Sequence, residues 1–193
     1  MAETPSTFGA HESKPAPMPL RLVQGFLNTV DLEEGTDLLA DPKSARDWLL
    51  AARLVDRHVR LTPPELERAR EVRESLRRLL ERDGGDRREA QERLAPLRAL
   101  AAGHRAQLAV APDGVVGLEN AHRGGLEDAL FELLLIVHGA QQDGTWERLK
   151  VCGNPECRWA FYDRSRNHQG SWCDMSTCGN RLKNRQLRAR RRS

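Results

Sequence analysis

At 193 residues and 21.8 kDa, with 39 % hydrophobic and 31 % charged residues, the chain is long enough to bury a core and too apolar to be wholly disordered. Its longest apolar stretch, residues 129–137, is interrupted by Glu132, and residues 1–19 lack the basic start and apolar block of a secretory signal, so the expectation is a soluble cytoplasmic protein without a membrane span. The formal net charge of +3 hides a division: Lys and Arg number 21 against 25 Asp and Glu in residues 1–150, but 10 against 3 in residues 151–193. A basic module on a near-neutral body has nucleic acid as its usual partner.

Residues 1–19 hold four of the ten prolines and no apolar periodicity, which predicts a flexible N-terminal arm. Leu20, Val23, Phe26, Leu27 and Val30 then recur at helical spacing. Asn28 projects away from that apolar face and is a candidate to cap a neighbour or to line a small pocket. A second helix is predicted from Asp41-Pro42 through Trp48 to Leu54, because Asp caps and Pro fits the first helical position. A third runs from Thr62-Pro63 through Leu66, Ala69, Val72, Leu76 and Leu79 to Gly84-Gly85. A fourth is expected over residues 86–102 with a kink at Pro96. Residues 108–112 and 115–119, around Asp113-Gly114, read as a short hairpin. An apolar helix follows over residues 125–142, with Leu126, Leu130, Leu133, Leu134 and Val137 inward and Gly144 as its stop. Residues 20–147 therefore read as a helical domain with one small β-hairpin, expected to fold without the C-terminal segment.

All four cysteines lie beyond that boundary: Cys152 and Cys157, then Cys173 and Cys178. Two close pairs across a moderate spacer suit a tetrahedral Zn²⁺ site, each pair supplying two sulfurs from one local turn. Gly153-Asn154-Pro155 gives turn chemistry to the first pair, and Asp174 is placed to cap a helix that carries Cys178. Two disulfides or scattered buried cysteines fit less well with a reducing compartment and a cysteine-free first 151 residues. Four thiolates match no common ferredoxin spacing, and they leave no open coordination position, so one structural zinc ion is expected.

With these residues in view, CGNPECRWAFYDRSRN followed by WCDMSTCGNRLKNRQLRARRR resembles the CGNR zinc finger, whose tetrad is here Cys178-Gly179-Asn180-Arg181. The upstream FLNTVD (26–31), DLLADP (37–42) and LTPPEL (61–66) resemble the helical ABATE domain that accompanies that finger. The resemblance implies a bacterial stress-induced transcription regulator with a DNA-binding C-terminus. Between Asn167 and Trp172 this chain has His168-Gln169-Gly170-Ser171 where the family has a basic stretch. The expected architecture is mostly α. A flexible arm (1–19) precedes a helical ABATE-like domain with one small hairpin (20–147), and a small treble-clef-like zinc module with four cysteine ligands ends in a basic helix (148–193).

On that last helix Met175, Cys178, Leu182 and Ala189 fall on one side, toward the metal. Arg181, Arg185, Arg188 and Arg192 form a neighbouring stripe suited to a row of phosphates, and Lys183 is a further candidate nucleic-acid contact. No HExxH, Walker loop or glycine fingerprint is present, so no enzymatic role is expected. Two readings follow from the residues. One is a zinc-finger regulator that binds nucleic acid, double-stranded DNA by preference, located in the cytoplasm at the nucleoid, with the helical domain sensing a signal or self-associating. The alternative is a zinc-stabilised interaction module for a protein or RNA partner.

Overall fold

The structure, a computed structural model, describes residues 14–81, 91–122 and 124–181. Residues 1–13 of the expected arm, the Gly84-Gly85 stop, the start of the fourth helix at residue 86 and the basic segment from residue 182 lie outside the described residues.

Helix α1 (Leu20–Leu27) buries Leu20, Val23, Phe26 and Leu27 and ends before Asn28. Val30, expected on this helix, instead starts β1 (Val30–Asp31), which pairs antiparallel with β2 (Thr36–Asp37). The Thr29 hydroxyl donates to the Phe26 carbonyl at 2.8 Å, a local bond that competes with helix continuation just before a β-branched residue. Strands of two residues carry too little periodicity to be read from sequence. In α2 (Pro42–Ala51) the Asp41 carboxylate accepts from the Lys43 and Ser44 N–H groups, each at 3.0 Å. This helix stops short of Leu54 because Arg53 takes φ 57°. At the head of α3 (Pro63–Leu80) the Glu65 carboxylate accepts from the Thr62 N–H at 2.8 Å and from its hydroxyl at 2.6 Å.

Helix α4 (Ala95–Gly103) follows a break at Leu94, so Pro96 sits in the first turn of a new helix rather than kinking a continuous one. The predicted hairpin is β3 (Ala106–Val110) against β4 (Val116–Asn120), closed by a turn in which Gly114 has φ 84°. Helix α5 (Leu126–Gln142) buries Leu126, Leu130, Leu133 and Val137 as predicted, with Leu134 partly covered, and Gly144 ends it at φ 78°. A 3₁₀ turn (Thr145–Arg148) leads into β5 (Leu149–Val151), which pairs antiparallel with β6 (Ala160–Tyr162).

The apolar core does not stop at residue 147. Leu149, Ala160 and Tyr162 belong to the same buried cluster as Phe26, Leu76 and Leu133. A polar seam runs through the junction. The Asn28 amide donates to the Ala160 carbonyl at 2.9 Å while its oxygen accepts from the Ala160 N–H at 2.7 Å, completing the edge of β6. Gln24, 1 % exposed, donates to the carbonyls of Ala160 (3.2 Å) and Lys14 (3.1 Å) and accepts from the Ala16 N–H (2.6 Å). Arg77, buried on α3, donates to the Leu27 carbonyl at 2.6 Å and to the Arg158 carbonyl at 2.5 Å. The end of the expected arm is likewise anchored: Tyr162 N–H donates to the Lys14 carbonyl at 2.9 Å and Ala16 is buried. Buried amide and guanidinium groups need partners, and here each finds one on the other segment.

Candidate metal centre

Strand β5 delivers Cys152, and the turn back toward β6 delivers Cys157. The Cys157 and Arg158 N–H groups both donate to the Asn154 carbonyl at 3.0 Å, and Cys152 N–H to the Trp159 carbonyl at 2.9 Å. This tight turn explains why Gly153-Asn154-Pro155 stands between the ligands. The second pair is set by a helix start. Asp174 accepts from Thr177 N–H at 2.9 Å, and the π-helical turn Met175–Gly179 brings Cys178 back beside Cys173.

The four Sγ atoms lie within 4.8 Å of one another, and all four cysteines are buried. Cys157–Cys173 and Cys173–Cys178 are each 3.7 Å apart. A disulfide needs about 2.05 Å, whereas four sulfurs at about 2.3 Å from one tetrahedral zinc are separated by about 3.8 Å. The donor set fits zinc. Backbone N–H groups of Cys173 and Asn154 point at Cys152 Sγ, and that of Trp159 at Cys157 Sγ. The buried Asn154 amide donates to Cys178 Sγ at 3.7 Å. These donors favour thiolates. Hydrogen bonds from Cys157 and then Cys173 hold the Cys152 thiol down to about 2, while the same bond to Cys152 pushes Cys157 up to about 12. Cys173 is also pushed up, first by Cys152. Sulfurs this close share protons, and a divalent cation is what allows them to ionise together.

The remaining tetrad residues have packing roles. A Cβ at Gly179 would meet Trp172 Cδ1 at 3.2 Å and run into the Met175 thioether, and one at Gly153 would meet Trp172 Cζ3 at 3.1 Å. The Trp172 indole therefore lies against both ligand turns. Met175, expected to face the metal, is 46 % exposed and covers Gly179. The Asn180 amide donates to the Ser176 carbonyl at 3.2 Å. Arg181 donates to Glu33 Oε1 at 2.9 Å, an oxygen that also lies 3.9 Å from Cys178 Sγ. The structure thus places Arg181 on the β1–β2 turn, whereas Lys183, Arg185, Arg188 and Arg192 lie outside the described residues. Of the two roles expected for Asn28, capping a neighbour and lining a small pocket, the structure shows the first, with both amide atoms on the backbone of β6.

The loop after β6 is gathered by Asp163, 4 % exposed, which accepts from Lys150 Nζ and Gly170 N–H, both at 2.7 Å, and from Ser165 N–H at 3.0 Å. A Cβ at Gly170 would sit 2.8 Å from the Asp163 carboxyl carbon, so the residue that departs from the basic stretch is one this loop requires. Burial by itself would raise the Asp163 carboxyl, but Lys150, Ser165 and Gly170 hold it well below the usual carboxylate range. Asp163→Asn is expected to cost about 2 kcal/mol at neutral pH by leaving Lys150 without its counter-charge. The carboxylate's contribution is complete above the unfolded value of about 3.9 and is lost as pH falls toward the lower folded value, so the difference from the parent chain shrinks below about pH 4. Urea melts of both proteins at neutral and acid pH check this.

Sequence reasoning did not single out Gln24, Glu33, Arg73, Arg77 or Lys14. Arg73, buried and paired with Asp37 at 2.6 Å, and Arg77 carried a usable signal, because they sit one turn apart on the stripe that also holds Val72 and Leu76. Lys14, whose ammonium donates to the Trp172 carbonyl at 2.7 Å and lies 4.9 Å over the Phe161 ring, carried none.

Residues 148–191 match the CGNR zinc finger family. Residues 20–141 match the ABATE family, described as "Putative stress-induced transcription regulator". No curated protein matches the sequence.

Proposed function

We propose, given that the chain belongs to the ABATE family and carries a CGNR zinc finger behind it, that this zinc-finger regulator acts by binding double-stranded DNA through its C-terminal basic segment. The observation that supports this reading most is how the metal module ends. Cys178 lies in the helical turn held by Asp174, Asn180 and Arg181 are already helical, and the sequence then supplies Lys183, Arg185, Arg188 and Arg192. The +3 and +4 spacing of Arg185, Arg188 and Arg192 in the sequence is what a helix continued from this start would present as one cationic stripe to a phosphate row. Arg181 is assigned to the Glu33 ion pair and acts as a tie between the two segments rather than as a phosphate ligand.

In this proposal the helical part is the regulatory half, and the role is not enzymatic. It presents a groove of about 850 Å³ bordered by Leu22, Leu54, Leu135 and Ile136 with Asp56 and Glu132, open to a stress-linked ligand, and it brings two copies of the chain together. Among the described residues no helix is long and apolar enough to cross a membrane, and the proposed location is the cytoplasm, at the nucleoid.

The zinc-loaded chain is expected to bind duplex DNA with a log–log salt slope of about −2.7, for the three phosphates neutralised by Arg185, Arg188 and Arg192. Arg188→Ala is expected to flatten that slope by about one unit and to weaken all sequences alike. Fluorescence anisotropy over a salt series reads both effects. Binding that ignores salt, or is unchanged when Arg185 and Arg188 are both replaced, overturns the DNA reading in favour of a protein partner.

A further inference from the structure

The β3–β4 hairpin stands apart from the rest of the surface. Its register opposes Leu108 to Leu118 and Val110 to Val116, and since strand side chains alternate, these four point to the same face. They are 76 %, 44 %, 71 % and 61 % exposed, and Val115 in the turn is 61 % exposed. Residues 106–112 and 115–118 contain no charged side chain, so none of the charged devices that keep an exposed strand solitary is present on this face. Glu119, paired with Gln107, points to the opposite face. At the base of the hairpin Leu118 also borders the groove with Leu135 and Ile136, which makes the apolar surface continuous with α5.

We propose that a second copy of this chain covers this face, the two hairpins packing aliphatic side against aliphatic side across a two-fold axis. The exposed aliphatic surface is on the order of 500 Å², at the upper end of what a monomer leaves contiguous in water. A two-fold axis doubles it to about 1,000 Å², the threshold that a specific interface has to reach. An uncharged face is also self-complementary. In an isologous contact every side chain near the axis meets its own kind, which aliphatic groups tolerate and like charges do not. The inference rests on the self-association included in the proposed function, and it names the surface responsible.

The test uses the full-length zinc-loaded protein without nucleic acid, in high salt to screen contacts of the basic segment. Sedimentation equilibrium is expected to show a dimer at micromolar concentration. Leu108→Glu and Val110→Glu, made separately, are each expected to raise the dimer dissociation constant about a hundredfold. Glu119→Lys, on the other face, is expected to leave it unchanged. Zinc content and the thermal melt at low concentration identify any variant that fails to fold, and Leu108→Ser then replaces it. A wild-type dimer that persists in the folded face variants overturns the hairpin assignment while self-association stands. A wild-type monomer overturns both.

Discussion

Replacing Cys178 with serine is expected to release the zinc and to disorder the two ligand turns, while β5 and β6 keep their packing on the helical core. Cys173 and Cys178 are 3.7 Å apart in a pocket whose other contacts are few: Trp159, Phe161 and the half-buried Trp172 complete its apolar cluster. So small a cluster cannot offset the chain entropy of ordering the two ligand turns and the loop between them, and in modules of this kind metal binding supplies on the order of 10 kcal/mol. The loss will spread. Without the metal, the turn that holds Cys178 against the Asn154 amide and presents Arg181 to Glu33 is disturbed as well. Metal analysis together with the protein's tryptophan emission, to which Trp159 and Trp172 contribute two of the four indoles, checks this. A variant that keeps one zinc per chain and an unchanged spectrum would show that three thiolates suffice.

A chain ended at Gly144 is expected to lose its cooperative melt, contrary to the independence that helical periodicity alone predicts for residues 20–147. The truncation removes Leu149, Ala160 and Tyr162 from the core that holds Phe26 and Leu133. It also strips partners from the half-buried Asn28, which loses both its amide bonds, and from the buried Gln24 and Arg77, which lose one bond each. Each buried group left unsatisfied costs about 1–3 kcal/mol, and with the lost apolar contacts the total approaches the roughly 5–15 kcal/mol that stabilises an ordinary domain. Circular dichroism and a urea melt of the truncated chain are the measurements. Native-like helicity with a sharp transition would mean that the helices close over the gap. Arg77→Met in the intact chain would then separate the effect of the seam from that of the core.

Much of the protein's local structure was determined by the sequence alone. The Asp41 cap, the Thr62 start of α3, the β3–β4 hairpin, the apolar face of α5 and its Gly144 stop all follow from residues within a few positions of each other, where capping, turn conformation and burial periodicity act locally. The metal centre was legible for the same reason, since each cysteine pair is positioned by its own turn and the chemistry of four thiolates admits few occupants. What required the tertiary structure is everything that joins distant segments. Asn28 reads as a polar residue on a helix until Ala160 comes alongside, Arg181 as one more arginine until Glu33 does, and Arg77 as part of a charged helix until the Leu27 and Arg158 carbonyls converge on it. Hydrogen-bond partners so far apart along the chain leave no periodic trace, because the requirement that a buried polar group be satisfied says that a partner exists and not which one it is.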